Sequence, residues 1–482
     1  MTSRTLPLLE RGLEQDDGKI SASPHSPSHQ RTNLGTISLS KQEDTLYTEL
    51  IEMTTSYTPM PDAIPQGKGL LINRNFAWLA SGQAISNLGD FVFSTTLFIW
   101  VFTLTHSAAA VSGVLAAQYL PVFLLGPLAG VFVDRWNRRQ TMILSDLIRA
   151  VAVTLPLLAP ASQRLLAIYA SVFLISAVGR FFMPAESGVL QVIVAEQQQM
   201  RAASIKQATF ALSIIVGPAL ASPLYFAVGP VLAILINAVS FFVSVFCLLF
   251  LRAPQVALHP HAFRQDDKAD GGIGGILREL FAGVKFIVVT RIVLMVTLMA
   301  LIAMLGAGAL NALNIVFVSR NLHMATALYG VLTAVGGVGG LLGIILAGIL
   351  SKWISPRRIL SGSALLIGVG FAIYSFQSWY VAGLIICFLM SIPQGGISVA
   401  FGPLLLGATP KEMMGRVQAV VDTGMSGVSL ISVALAGLLG QFLPVGVILT
   451  GCGLLIALAG LFGWFTIQEK ASAQPEVRPQ FS

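Results

Sequence analysis

The residues of this sequence with the greatest chemical reach lie inside apolar runs. Asp90, Arg180 and Asp422 are each embedded in long stretches of Ala, Val, Leu, Ile, Phe and Gly. An ionisable group in hydrocarbon is costly, so each needs a partner, a water-filled cavity or a function. Gln83, Asn87, Asp90 and Ser94 follow a 4-3-4 spacing, which puts them on one face of a helix. Such a face points either into a cavity or into a hydrogen-bonded seam with a second polar helix. We read it as a cavity wall, with Asp90 as the proton-binding group ~21 Å along a helix that begins near residue 76. A carboxyl whose surroundings alternately dry and rewet changes its proton affinity, which is what coupling to a proton requires.

Arg180 shares a face with Ser176 and Ser187. Three roles stay open for it: a pair with Asp90 across the cavity, a seat for an anionic substrate, or a guanidinium satisfied by backbone carbonyls. Glu186 follows Arg180 by less than two helical turns and lies off that face. Gln418, Asp422, Ser426 and Ser429 form another polar face. Asp422 sits only ~10 Å past the start of its helix, so a role in an inner gate and a role in substrate binding stand level. Asp422 is also the second candidate for proton coupling. Asp146 and Arg149 are an i,i+3 pair, the spacing at which opposite charges on a helix neutralise each other. Asn311 and Asn314 suit the cavity wall of the second half of the chain, or simple packing.

Enzymatic alternatives find little support. The sequence has no HExxH and no GxSxG, and Ser426 has no His or Lys beside it. A phosphate loop is absent too, since QGKGL at Gln66 lacks the first glycine and the hydroxyl. Cys247, Cys387 and Cys452 fall in separate apolar runs, so neither a disulfide framework nor a metal site is indicated. No catalytic residue, metal or cofactor is expected.

The elements that must hold these residues are membrane spans. The chain has 482 residues, of which 55% are hydrophobic and 11% charged, with a mean hydropathy of +0.78. A soluble chain carries about 25% charged residues, so this is an integral membrane protein. Its net charge of +7 would suggest nucleic acid in a soluble chain, but the Lys and Arg residues fall between apolar runs, not along a stripe. Residues 1–73 are rich in Ser, Thr, Pro and acids, lack an apolar period and read as a disordered cytoplasmic tail. Twelve apolar blocks follow, at about 76–104, 108–133, 141–160, 165–194, 204–227, 229–251, 286–317, 326–350, 358–377, 379–406, 415–441 and 445–467, each near or above the ~20 residues that cross a bilayer.

Basic residues collect on one side. Arg135, Arg138 and Arg139, then Arg201 and Lys206, then the 252–285 loop, then Lys352, Arg357 and Arg358, then Lys411 and Arg416 all fall in even-to-odd connections. The opposite side has Arg164 and Arg320. The positive-inside rule therefore puts both termini, including the 468–482 tail, in the cytoplasm of a cell whose plasma membrane the chain spans. The 252–285 loop divides the blocks into halves, 74–251 and 286–467. A repeat supports this division: LAGVFVDRWNRR at Leu128 is echoed by LAGILSKWISPRR at Leu346, with Lys352 in place of Asp134 and one residue inserted before the final Arg pair. Two parallel six-helix halves meeting near the midplane are the architecture of a secondary transporter.

The chain resembles the major facilitator superfamily, and within it the drug-efflux branch that includes macrolide and tetracycline exporters. NRNFAWL and SNLGD in the first block, GPLAGVFVDRWNRR after the second, GPALAS in the fifth and GRVQAV at the start of the eleventh carry the resemblance. Gly126 and Gly130, one turn apart, form a bare backbone stripe where another helix is expected to approach closely. Asn137 replaces the motif's glycine, a change that a residue tolerant of left-handed backbone can accommodate. The resemblance implies that Asp134, within the Arg135, Arg138 and Arg139 cluster, reaches Arg416 with Glu186 nearby. That contact would latch the halves together on the cytoplasmic face and favour the outward-open state. Gly217 and Pro218 resemble the antiporter signature, although Ser213, Ala221 and Ser222 stand where the family has glycines.

These readings converge on a proton-driven exporter of amphipathic or cationic small molecules working by alternating access. An importer or facilitator with the same fold is the alternative. The expected partners are a small-molecule substrate, protons and the bilayer, with no nucleic acid, and the chain is read as a monomer.

Overall fold

In hydrocarbon every backbone N–H and C=O must be bonded within its own segment, so long apolar runs that cross a bilayer singly become helices. The computed structural model describes residues 72–252 and 273–466. Apart from residues 72 and 73, the tail read as disordered lies outside them, as do most of the inter-half loop and the 468–482 tail.

The first half is built from α1 (Arg74–Thr105), α2 (Ala108–Arg135), α3 (Arg138–Ala152, followed by a turn of helix at Leu155–Leu158), α4 (Arg164–Ile193), α5 (Glu196–Val228) and α6 (Pro230–Leu249). An amphipathic helix, α7 (Ile273–Val289), precedes the second half: α8 (Arg291–Arg320), α9 (Tyr329–Leu350), α10 (Pro356–Ser375), α11 (Tyr380–Gly407), α12 (Met414–Leu439) and α13 (Val445–Thr466). Twelve of the described helical stretches are long and apolar enough to cross a membrane, and α7 is not among them. The seventh block therefore starts later than its hydropathy suggests. Thr290 breaks the run, leaving residues 273–289 as a separate helix that buries Gly283 and Ile287 and exposes Phe281, Val284 and Val288.

Local chemistry sets the helix ends. Asn73, Ser107 and Asn137 are N-caps whose side chains accept from the backbone N–H groups of Phe76, Ala110 and Gln140. Asn137 is thus no left-handed residue; its φ is −68°, and the carboxamide is selected as a cap. Its counterpart is Ser355, the N-cap of α10. Taken from cap to cap the two copies of the repeat align without an insertion: Asp134 matches Lys352, Arg138 matches Pro356, and Arg139 matches Arg357.

Packing repeats as well. In the first half α1 packs on α5 and α6, α2 on α4, and α3 on α4 and α6. In the second α8 packs on α12 and α13, α9 on α11, and α10 on α11 and α13. The main contacts between halves are α2 with α12 and α5 with α9.

Both of those seams close only from one end to about the middle. Along the first, Gly440 meets Ala108, Gly437 meets Ser112, and Gly427 meets Phe123. Past that point Gly415 of α12 and Gly126 and Gly130 of α2 have no neighbour within 4 Å of a Cβ position. Along the second, the Gly330 N–H donates to Ser222 Oγ at 3.0 Å and Gly337 meets Ile214 and Ile215. Farther on, the atoms nearest Gly343 belong to Ile392 of its own half.

The apolar core divides in the same way. One cluster joins the halves at the end of the bundle bearing His106 and Arg320, including Phe93, Val111, Val114, Phe317, Tyr374, Val433 and Ala436. Toward the opposite end, where the basic residues lie, the clusters belong to single halves: Phe76, Met142, Phe182 and Val189 in the first, Met299, Ile359, Val417 and Val421 in the second. The halves form a V that is open at the basic end. Gly126 and Gly130 accordingly make no close approach in this state, contrary to the expectation from their spacing.

Candidate transport site

The polar face of α1 turns toward α6. Gln83 Nε2 donates to Ser244 Oγ at 3.4 Å, and Asp90 Oδ1 accepts from Asn237 Nδ2 at 3.1 Å. Gly89 permits this approach, because a Cβ there would collide with Ser240 Oγ and Asn237 Oδ1. Ser240 Oγ donates to the Asn237 carbonyl at 2.8 Å and lies 3.1 Å from Asn237 Oδ1. With the oxygen of that carboxamide facing Ser240, its NH₂ is the end presented to Asp90.

The third helix of this network is α3. Asp146, wholly buried, pairs with Arg149 Nη1 at 3.4 Å and bonds Ser244. The Arg149 guanidinium lies 5.3 Å from the Phe182 ring centroid and 5.5 Å from that of Phe241, against the bare backbone of Gly179. It also acts electrostatically on Asp90. Two carboxylates from α1 and α3 therefore share one guanidinium. This corrects one expectation and narrows one choice that was open. Gln83 and Asp90 belong to a hydrogen-bonded seam inside the first half, although Asp90 stays partly accessible. The cation near Asp90 is Arg149, because Gly179 leaves room for its side chain there.

Arg180, next to Gly179, is half-buried and is influenced by Arg149 on one side and Asp422 of α12 on the other. Asp422 is exposed, with Oδ1 accepting from Gln418 Nε2 at 2.9 Å. It lies five residues, or ~7.5 Å, from Gly427 toward the basic end, just inside the opening of the V. Arg180 and Asp422 thus bring opposite charges from opposite halves to the inner end of the cleft. Asn87 stays half-buried on α1. Asn311 is exposed on α8, whereas Asn314 is used in packing, its Oδ1 accepting from Tyr374 OH at 3.0 Å.

In α5 the Gly-Pro pair serves two contacts. A Cβ on Gly217 would collide with Phe91, beside Asp90, while the Pro218 carbonyl and Ser222 face Gly330 of the other half. The basic end is arranged differently from the expected latch. Arg139 donates to the carbonyls of Leu248 and Leu249 at 2.9 and 2.6 Å, closing the C-terminus of α6, and Arg138 packs over Gly188. Arg135 is exposed. Glu186 pairs with Lys206 of α5 at 2.6 Å, and Arg416 lies 3.7 Å from Glu279 of α7. The side chain of Asp134 is outside the described residues. In this state Glu186 is thus held by a cation of its own half.

The sequence does not mark Asn237, and it marks Lys206 only as a topology charge, not as the partner of Glu186. For Asn237 a signal existed: Asn237, Ser240 and Ser244 recur at i, i+3 and i+7 through an otherwise apolar block.

Comparison with known proteins agrees with this architecture. A family model described as "transmembrane secretion effector" matches residues 70–479. The chain is 27% identical over 397 residues to a putative bacilysin exporter, BacE, of Bacillus subtilis, covering 80% of this chain and 93% of that one. It is 24% identical over 356 residues to macrolide efflux protein A of Streptococcus pyogenes, covering 73% and 85%. Among solved structures it resembles the nucleoside transporter NupG, with a TM-score of 0.64 at 14% identity over 82% of this chain and 99% of that one. At that identity the likeness shows the fold alone.

Proposed function

The chain belongs to the transmembrane secretion effector family of major facilitator transporters, and on that premise we propose that it exports amphipathic or cationic small molecules in exchange for protons. As a member it is a multi-pass membrane transporter and not an enzyme. Export is favoured by the efflux functions named for relatives that align over most of their length.

The observation that carries the reading is the charged core of the first half beside a one-sided cleft. Two carboxylates, Asp90 and Asp146, share Arg149 next to a cleft closed at one end and open at the other. With the basic end cytoplasmic by the positive-inside rule, the cleft is inward-open and both termini lie in the cytoplasm. A cationic substrate entering from that side meets Asp422 and displaces Arg180 as its partner. A proton on Asp90 removes the charge held by Asn237 and leaves Arg149 to Asp146, loosening the α1–α6 seam as the halves rock. The protein works as a monomer in the plasma membrane, with the proton gradient as its energy source and no cofactor.

The test is proton movement in vesicles reconstituted with the purified protein when a cationic amphipathic drug is added. Substrate-linked proton flux supports antiport. Substrate exchange with no proton flux would favour the facilitator reading.

A further inference from the structure

The second copy of the repeat ends in a corner unlike the first. A cavity of about 260 Å³ lies at the start of α10, lined by Arg357, Arg358 and Trp464. Arg357 Nη2 donates to the Trp464 carbonyl at 2.6 Å, closing α13 as Arg139 closes α6. From there the copies diverge. Lys352 stands where Asp134 stands, and Arg358 replaces Gln140. No Asp or Glu occurs between Arg291 and Lys411, and among the described residues neither Arg357 nor Arg358 pairs with a carboxylate. Two guanidinium groups line the cavity, Lys352 lies three residues before the Ser355 cap, and among the described residues no carboxylate offsets them, so the corner favours an anion.

The anion's chemistry follows from the surroundings. Guanidinium forks and the free N–H groups at a helix start suit phosphate oxygens, and the Ser355 hydroxyl oxygen at that start is buried without a hydrogen-bond partner. Trp353 and Trp464 are exposed beside the corner, the placement of side chains at headgroup depth. Exposed Leu461 and Phe465 of α13 and Ile349 and Leu350 of α9 continue from it as apolar surface for acyl chains. We propose that this corner seats the phosphate of an anionic phospholipid from the leaflet at the basic end of the bundle. A basic pocket between spanning helices on this side of a membrane is suited to such headgroups.

The full chain is placed in nanodiscs of phosphatidylcholine with a minor fraction of phosphatidylglycerol, then delipidated stepwise and weighed intact. Wild-type protein is expected to retain phosphatidylglycerol after the last phosphatidylcholine is lost. Arg358→Gln leaves the Arg357–Trp464 bond intact and should weaken retention roughly fivefold, the effect of about one surface cation. Arg357→Gln with Arg358→Gln should abolish it, and the paired Lys replacements should restore part of it. Arg252→Gln, an exposed cation of the other half, should change nothing. Equal retention of both lipids, retention unaffected in a folded double variant, or displacement of the lipid by millimolar inorganic phosphate would each overturn the assignment; the last would mark a soluble-anion site.

Discussion

Arg320, at the end of α8, donates to the backbone carbonyl of His106, at the end of α1, across a distance of 2.8 Å. The bond joins the two halves at the closed end of the V, and His106 presents its carbonyl from a left-handed turn with φ of 49°. A hydrogen bond from a charged donor at an accessible site contributes about 1 kcal/mol net. Arg320→Ala is therefore expected to raise the outward-open population roughly fivefold. Labelling of a cysteine placed at Ser112, from the outer side of intact cells, reports it; an unchanged labelling rate would mean that the bond does not hold the gate.

The open half of the seam makes an opposite kind of prediction for glycine. Gly330 is locked against Pro218 and Ser222, so Gly330→Ala should pry apart the closed end and lower thermal stability. Gly126→Ala and Gly130→Ala have room while the basic end is open and should leave stability within about 0.5 kcal/mol of wild type. If the two α2 glycines admit a neighbouring helix when the basic end closes, the same substitutions slow transport. Full transport with Ala at both positions would show that no close approach occurs there.

Arg149 is the only basic residue that pairs with Asp146 among the described residues. Removing one partner of a buried pair strands the other and typically costs about 3–5 kcal/mol. Arg149→Gln should lower the unfolding temperature sharply, and adding Asp146→Asn should recover much of the loss. Additive losses in the double variant would mean that the pair is not coupled.

Arg416 pairs with Glu279 while the basic end is open, and the family resemblance implies Asp134 as its partner when that end closes. One guanidinium would then exchange partners between states, and Glu279→Gln should favour closure of the basic end. Asp134→Asn and Arg416→Ala should each slow transport and raise accessibility at that end, with the double variant no worse than the worse single. Additive defects would separate the two residues.

Much of this architecture is legible in the sequence because hydrophobic length and basic-residue placement act locally. Twelve blocks, the division into six and six, and the Asp146–Arg149 pair all depend on spacing within a segment. What spacing cannot supply is the partner of a polar face. The α1 face at Gln83 and Asp90 looks the same whether it meets water or α6, and only the three-dimensional approach at Gly89 distinguishes them. The conformational state is hidden for a similar reason, since one sequence serves both closures. The α7 boundary was obscured because Phe286, Ile287, Val288 and Val289 continue the hydropathy of α8, although a single Thr290 ends the helix.

Proton coupling through Asp90 is tested most directly in vesicles holding purified protein under an imposed pH gradient, with drug accumulation followed over time. Asp90→Asn keeps the size of the side chain and a carboxamide oxygen to accept from Asn237, but cannot take up a proton. Wild type should accumulate drug against its gradient, while Asp90→Asn should bind the drug and equilibrate it without concentrating it. Undiminished uphill accumulation by Asp90→Asn would contradict the account and pass the coupling role to Asp422.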